Sequence, residues 1–263
     1  MYPFTLERPS TLAAANQLAA SGAKVLAGGQ TLLASMKLRL SQPGQLVDLA
    51  GIAELTGICR EGNALVIGAM TRHIDVANNA DVKALIPGLA DLAAHIGDRQ
   101  VRAMGTLGGS VANNDPAACY PSALLALGAT IHTDKRTIKA DDFFLGMYAT
   151  ALNAGEIITS VSFPIPTKSA YAKFNQPASR FALVGVFVAH TAGGARVAIT
   201  GAGNGVFRHA GMEAALTKSF TPEAVAGVAV DSTDLNADLH ASKAYRAHLI
   251  TVQTQRAVKQ ANG

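Results

Sequence analysis

The sequence predicts an α+β chain built in successive parts, and three observations predict it. A strand, a glycine loop, a helical segment and a second strand fill roughly the first fifty residues. Strand and helix signals are then mixed as far as Phe163. The stretch Pro164-Ile165-Pro166, with Lys168-Ser169 after it, punctuates the chain, and strands followed by helices lie beyond it. The expected division is therefore 1–166, split into a small α/β unit over 1–55 and a central α+β unit over 56–166. A C-terminal domain of a small antiparallel sheet with helices is expected over 168–263.

Each element has a local reason. Ser10 reads as an N-cap, with Leu12, Ala15 and Leu18-Ala19 at helical spacing and Gly22 as the stop. Lys24-Val25-Leu26 is a short strand that runs into the first glycine pair. Leu33 to Leu40 gives a turn or two of helix, and Gln45 to Leu49 the next strand. Ala64 to Gly68 is a strand, and Thr71 is placed to cap a helix over Arg72 to Ala77. Helices follow at Pro87 to Ile96 and Pro121 to Leu127, with strands at Thr130 to His132 and Glu156 to Phe163. Beyond the proline stretch, strands are expected at Tyr171–Phe174, Leu183–His190 and Arg196–Thr200. Helices are expected near His209–Leu216, Pro222–Val230 and Ser242–Val258, with a tail from Gln253 that frays.

Two glycine pairs carry the functional argument. The first stands in Ala27-Gly28-Gly29-Gln30-Thr31-Leu32, directly after a strand. The second stands in Gly105-Thr106-Leu107-Gly108-Gly109-Ser110, followed by the polar Asn113, Asn114 and Asp115, and Pro116. Glycine pairs let the backbone turn tightly and bring N–H groups against an anion. Two such loops about eighty residues apart suggest one extended ligand with a diphosphate in its middle, a dinucleotide such as FAD or NAD. The first stretch also reads as an ordinary glycine turn, and the second as a polar turn between two helices. Neither is the G-x-G-x-x-G fingerprint. Gly201-Ala202-Gly203-Asn204-Gly205 misses its third glycine and reads as a loop.

Composition argues against other classes. The chain has 263 residues, 49% of them hydrophobic, which is ample for a core. Charged residues are only 15%, which fits a subunit whose surface is partly covered by partners. The net charge of +4 comes without a basic run, and aromatics are 5% with no Trp, so nucleic-acid binding is not expected. Cys59 and Cys119 form no metal or redox spacing, and the seven histidines form no HExxH pair, so no metal site is expected. Each histidine reads as a surface or satisfied core residue. No G-x-S-x-G elbow is present, and Asp141-Asp142 reads as a capped loop start. No basic and apolar leader and no apolar span of 18 residues is seen, so a cytoplasmic chain without a membrane span is expected.

Ordered motifs along nearly the whole chain carry a resemblance. They are F-x-x-x-R-P from Phe4, A-G-G-Q-T-L-L-A-S-M-K-L-R-L from Ala27, V-D-L from Val47 and I-G-A-M-T from Ile67. R-A-M-G-T-L-G-G-S-V-A-N-N-D-P from Arg102, E-I-I-x-x-V-x-F-P from Glu156, Y-x-K-F from Tyr171 and L-V-G-V-F-V from Leu183 complete the set. The chain resembles the FAD-binding medium subunit of molybdenum hydroxylases. These include carbon monoxide dehydrogenases, xanthine dehydrogenases and aldehyde or N-heterocycle oxidoreductases. The resemblance implies that the two N-terminal units hold FAD between them. It places the diphosphate loop at Ala27, Gly28, Gly29, Gln30, Thr31 and Leu32. It places the second FAD loop at Thr106, Gly108, Gly109 and Ser110, with Asn114 in the polar cluster after it, and further contacts at Ile96, Ile158 and Lys173.

The resemblance further implies that the chain hydroxylates nothing itself and holds no catalytic acid or base. A large partner would carry the molybdenum cofactor, and a small partner two [2Fe–2S] clusters, in a dimer of heterotrimers. Electrons would pass from the nearer cluster to FAD and on to an external acceptor. Backbone N–H groups of both glycine loops are the expected anchors. Two departures stand out: Cys119, where relatives often carry an acid, and Arg180, where they often carry Asp. Two rival readings remain open at this point. One is a free-standing FAD oxidase, although Gln30 stands where a His or Cys for covalent linkage is usual. The other is a flavin-less scaffold.

Overall fold

A computed structural model describes residues 1–263. The N-terminal unit runs β1 (Thr5–Glu7), α1 (Leu12–Ala20), β2 (Lys24–Leu26), α2 (Leu32–Lys37) and β3 (Gln45–Asp48). Its strands form a parallel sheet in the order β1-β3-β2. Parallel neighbours need crossovers, and α1 and α2 provide them. Ala15, Ala19, Val47 and Leu49 form the small core beneath α1. Thr11, not Ser10, caps α1: its Oγ1 accepts from Ala14 N–H at 3.3 Å. The β2 strand ends where the first glycine stretch begins, so the sheet sets the position of that loop.

The central unit opens with β4 (Ile58–Glu61) and β5 (Ala64–Gly68). Helices α3 (His73–Asn78), α4 (Ala80–Leu85), α5 (Pro87–Ala94), α6 (Arg99–Met104), α7 (Leu107–Asn113) and α8 (Tyr120–Leu127) follow. Then come β6 (Thr130–Thr133), β7 (Thr137–Lys139), α9 (Ala140–Phe143), β8 (Phe144–Gly146), β9 (Ala149–Thr150) and β10 (Ile158–Pro164). The sheet order is β4-β5-β10-β6-β7, antiparallel throughout, while β8 and β9 form a separate hairpin. Val161 pairs with Ile67 and Ile131, and Phe163 with Leu65. These alternate residues are buried against the helices, whereas Ser160 and Ser162 turn outward. Every residue of α8 is buried, because the helix lies between two sheets.

The second of those sheets is C-terminal: β11 (Lys168–Asn175), β12 (Ala182–Thr191), β13 (Gly194–Thr200) and β14 (Phe207–Arg208), in chain order and antiparallel. Helices α10 (Ala210–Lys218) and α11 (Lys243–Asn262) complete the chain. Phe187 and Ala189 of β12 join the central core, while Val184, Val186 and Val188 face the core with α11. Burial on both faces explains why L-V-G-V-F-V shows no polar alternation.

Four further expectations are corrected. Thr71 does not cap α3. Its hydroxyl instead accepts from Gly57 N–H at 3.0 Å and donates to Gly57 C=O at 3.1 Å, fastening the approach to β4. The helix expected over Pro222–Val230 is one 3-10 turn at Pro222–Val225. The tail does not fray, because Gln253, Thr254, Ala257 and Val258 are buried and α11 continues to Asn262. The second glycine stretch is not a turn between helices but the first turn of α7 itself. No helix is long and apolar enough to cross a membrane.

Candidate functional site

A cleft of about 790 Å³ opens between the N-terminal unit and the central unit. Ala27, Gly28, Gly29, Gln30, Thr31 and Leu32 line one wall. Thr106, Gly108, Gly109 and Ser110 line the facing wall, with Ile96, Ile158 and Lys173 further round. A smaller groove of about 630 Å³, between α4, α5 and the end of α11, contains none of the expected residues.

The two glycine stretches are in contact, not held apart by the length of a ligand. A Cβ on Gly28 would collide with the Met104 carbonyl oxygen and stand 2.7 Å from Gly105 Cα. A Cβ on Gly109 would stand 2.9 Å from Thr106 Oγ1 and 3.3 Å from Ala27 Cβ. Glycine is needed at both positions for this approach. Gly29 is needed for a second reason, a φ of +71° that turns the chain from β2 towards α2.

The two walls differ in what their backbones offer. In α7 the N–H groups of Leu107, Gly108, Gly109 and Ser110 already donate within the protein. Their acceptors are Thr71 O, Ala69 O, Thr106 Oγ1 and Thr106 O, at 2.8–3.2 Å. The expectation that this stretch anchors an anion through its amides is therefore corrected: two of them fasten α7 to Ala69 and Thr71, and two close its first turn on Thr106. In the first stretch, the N–H groups of Ala27, Gly28, Gly29, Gln30 and Thr31 donate to no protein acceptor. A run of successive free N–H groups around a left-handed glycine is a concavity for phosphate oxygens. This donor run, with glycines where a side chain would fill the space, fits the diphosphate of a dinucleotide.

Asn114 is the one expected site residue that stays outside the cleft. Its backbone is left-handed (φ +43°, ψ +49°) at the end of α7, and its side chain is buried. Nδ2 donates to Gly146 O and Ala149 O, both at 2.8 Å, and Asn114 O accepts from Tyr148 N–H at 3.1 Å. Asn114 holds the β8–β9 hairpin, and its neighbours Asn113 and Asp115 are the ones that face the cleft.

Lys173, on β11, enters the cleft from the C-terminal sheet. Its Nζ donates to His95 O at 2.5 Å and Arg180 O at 3.1 Å, and lies 3.6 Å from Cys119 Sγ. Glu156 also borders the cleft, but its carboxylate is saturated. Arg136 Nε and Nη2 each donate at 3.0 Å, and Thr133 Oγ1 and Asn153 N–H at 2.8 Å. The Arg136 hydrogen bonds pull its carboxyl down to about 2, so it is a clamp and not a base.

Sequence reasoning missed His73. Its imidazole is 4% exposed, borders the cleft, packs against Gly105 and lies 5.3 Å from the Tyr120 ring. Nδ1 is buried without a partner, so this histidine is not a satisfied core residue. Burial first, and then the Arg102 charge, lower its pKa to about 4, so it is neutral at pH 7. Nothing at sequence level separated it from the six other histidines. Tyr148 was also missed. It stands at the cleft rim with φ +54° and a hydroxyl 3.3 Å from Asp115 Oδ2.

Comparison with known proteins accords with this geometry. Residues 2–166 match the family described as the FAD binding domain in molybdopterin dehydrogenase. The chain is 36% identical to the carbon monoxide dehydrogenase medium chain of Hydrogenophaga pseudoflava, covering 84% of this chain and 82% of that one. It is 34% identical to the nicotine 6-hydroxylase medium subunit of Paenarthrobacter nicotinovorans, covering 84% and 83%. Among solved structures, reconstituted CO dehydrogenase from Oligotropha carboxidovorans superposes with a TM-score of 0.91 at 30% identity, over 99% of both chains.

Proposed function

The chain belongs to the family of FAD-binding domains of molybdopterin dehydrogenases, and from that premise we propose that it is the FAD-carrying electron-transfer subunit of a molybdenum hydroxylase complex. The observation that carries the reading is the run of unsatisfied backbone N–H groups from Ala27 to Thr31, open to the cleft. These amides bind the FAD diphosphate, and the left-handed Gly29 turns them inward. Thr106 and the first turn of α7 shape the opposite wall, with Gly109 letting it approach Ala27. Ile96 and Ile158 exclude water along the sides, and Lys173 sets a positive charge at the far end. Bound FAD supplies the redox chemistry, accepting and releasing electrons. The chain supplies no acid or base to a substrate.

The partners in this reading are a large subunit with the molybdenum cofactor and a small subunit with two [2Fe–2S] clusters, in a dimer of heterotrimers located in the cytoplasm. Electrons reach this chain from the small subunit and leave to an external acceptor. Relatives of similar identity carry names for carbon monoxide and for nicotine oxidation. That supports a division of labour in which substrate choice lies outside this chain. The test is co-purification from the native host. About one FAD per chain, bleached when the complex oxidises substrate, is the expected result. A chain that purifies alone, reduces its own flavin with substrate and needs no partner would instead be a free-standing oxidase.

A further inference from the structure

Cys119 and Lys173 are 54 residues apart in sequence and meet in the cleft wall, where Sγ and Nζ stand 3.6 Å apart. The thiol is 5% exposed and borders the cleft. Lys173 Nζ has two carbonyl oxygens as its other partners and no carboxylate in hydrogen-bond contact. The hydroxyl of Tyr171, 2% exposed on the same strand, has no hydrogen-bond partner. Burial, and then Cys119, raise its pKa well above the ordinary phenol value. An amine and a thiol thus meet at one point of the cleft wall that small molecules reach.

We propose that Cys119 and Lys173 are a redox modification site, joined under dioxygen by a covalent Nζ–O–Sγ bridge. The ammonium first gives its proton to solvent. One amine N–H bond, the thiol S–H bond and the O–O bond then break, and N–O and O–S bonds form. Both hydrogens leave with the second oxygen atom as one water. Nitrogen and sulfur together lose four electrons, which reduce the dioxygen. The flexible lysine stem closes the remaining gap. Bridging removes a positive charge from the cleft and pins β11 to the start of α8, so FAD binding weakens as the bridged fraction rises. Two dithiols, each oxidised to a disulfide, supply the four electrons and four protons that restore amine, thiol and water.

The experiment is peptide mass spectrometry on the full chain after exposure to air-saturated buffer, digested without reductant, with and without FAD. The expected product is one cross-linked species joining the Cys119 and Lys173 peptides, heavier than their sum by one oxygen less two hydrogens. Trypsin no longer cuts at Lys173, and dithiothreitol abolishes the species. Lys173→Arg, which keeps the charge and lacks the reactive amine, gives none. The exposed Cys59, beside Glu61 and no lysine, serves as the internal thiol control. Recovery of Cys119 as free thiol or sulfinic acid, with Lys173 cleaved normally, overturns the proposal. The wild-type readout does not depend on any variant folding. A bridge that forms in a chain which still binds no FAD after dithiothreitol has removed the bridge would leave this inference standing while the proposed function failed.

Discussion

Protonation of His73 is expected to destabilise the chain in mild acid by an amount that the structure sets. Its pKa falls from 6.5 in the unfolded chain to about 4 in the fold, because burial disfavours the imidazolium and Arg102 repels it. A group whose folded pKa is depressed holds its proton more tightly when unfolded. The stability that neutral His73 contributes is thus present above pH 6.5 and drains away as pH falls towards 4. A gap of about 2.5 pH units, at about 1.4 kcal/mol each, gives about 3.5 kcal/mol across the full window. The assay is urea unfolding between about pH 7 and about pH 5, where about 2 kcal/mol of the effect falls. His73→Gln, uncharged throughout, provides the baseline. His95, whose pKa the Asp91 hydrogen bond raises, acts with the opposite sign, but it is common to both proteins and cancels in the difference. Parallel pH profiles for wild type and His73→Gln would refute the reasoning.

Gly28→Ala sets a methyl group against the Met104 carbonyl and separates the two walls. FAD affinity, read by equilibrium dialysis, falls at least about tenfold, or about 1.4 kcal/mol, while far-UV circular dichroism is unchanged. Asn114→Ala removes two buried hydrogen bonds to the β8–β9 hairpin and costs about 2–3 kcal/mol in urea unfolding. Arg136→Met leaves the Glu156 carboxylate buried with one charged partner gone. The urea unfolding midpoint at neutral pH falls. The acid-labile step of the wild type, which lies between pH 4.5 and about 2 as Glu156 takes up its proton, is lost from the unfolding profile.

The parts legible in the sequence were those encoded by near neighbours. Lys24-Val25-Leu26 read as a strand, and Gly28-Gly29 read as a loop that places amides against an anion; the free N–H groups lie there. The second stretch also holds a glycine pair but is in the opposite state, because Leu107 and Gly108 donate to Thr71 and Ala69 from a distant segment, while Gly109 and Ser110 donate to the local Thr106. No local pattern discloses a non-local acceptor. Asn114 failed for a similar reason: its polarity suggested a ligand, and its left-handed backbone turned it into the hairpin. The Asp98 cap of α6, with its Oδ1 2.9 Å from Val101 N–H, was a usable signal that went unread. The meeting of Lys173 with Cys119 had no local signal at all, since β11 and α8 come together only through the packing of the C-terminal sheet.

Hydrogen–deuterium exchange of the backbone amides, with and without FAD, tests the central claim most directly. The account predicts that FAD slows exchange at Ala27 to Thr31, whose N–H groups have no protein acceptor, and leaves Leu107 to Ser110 nearly unchanged, since those amides are already bonded. Protection confined to the first turn of α7, or no protection at Ala27 to Thr31 in a chain that holds FAD, would contradict it.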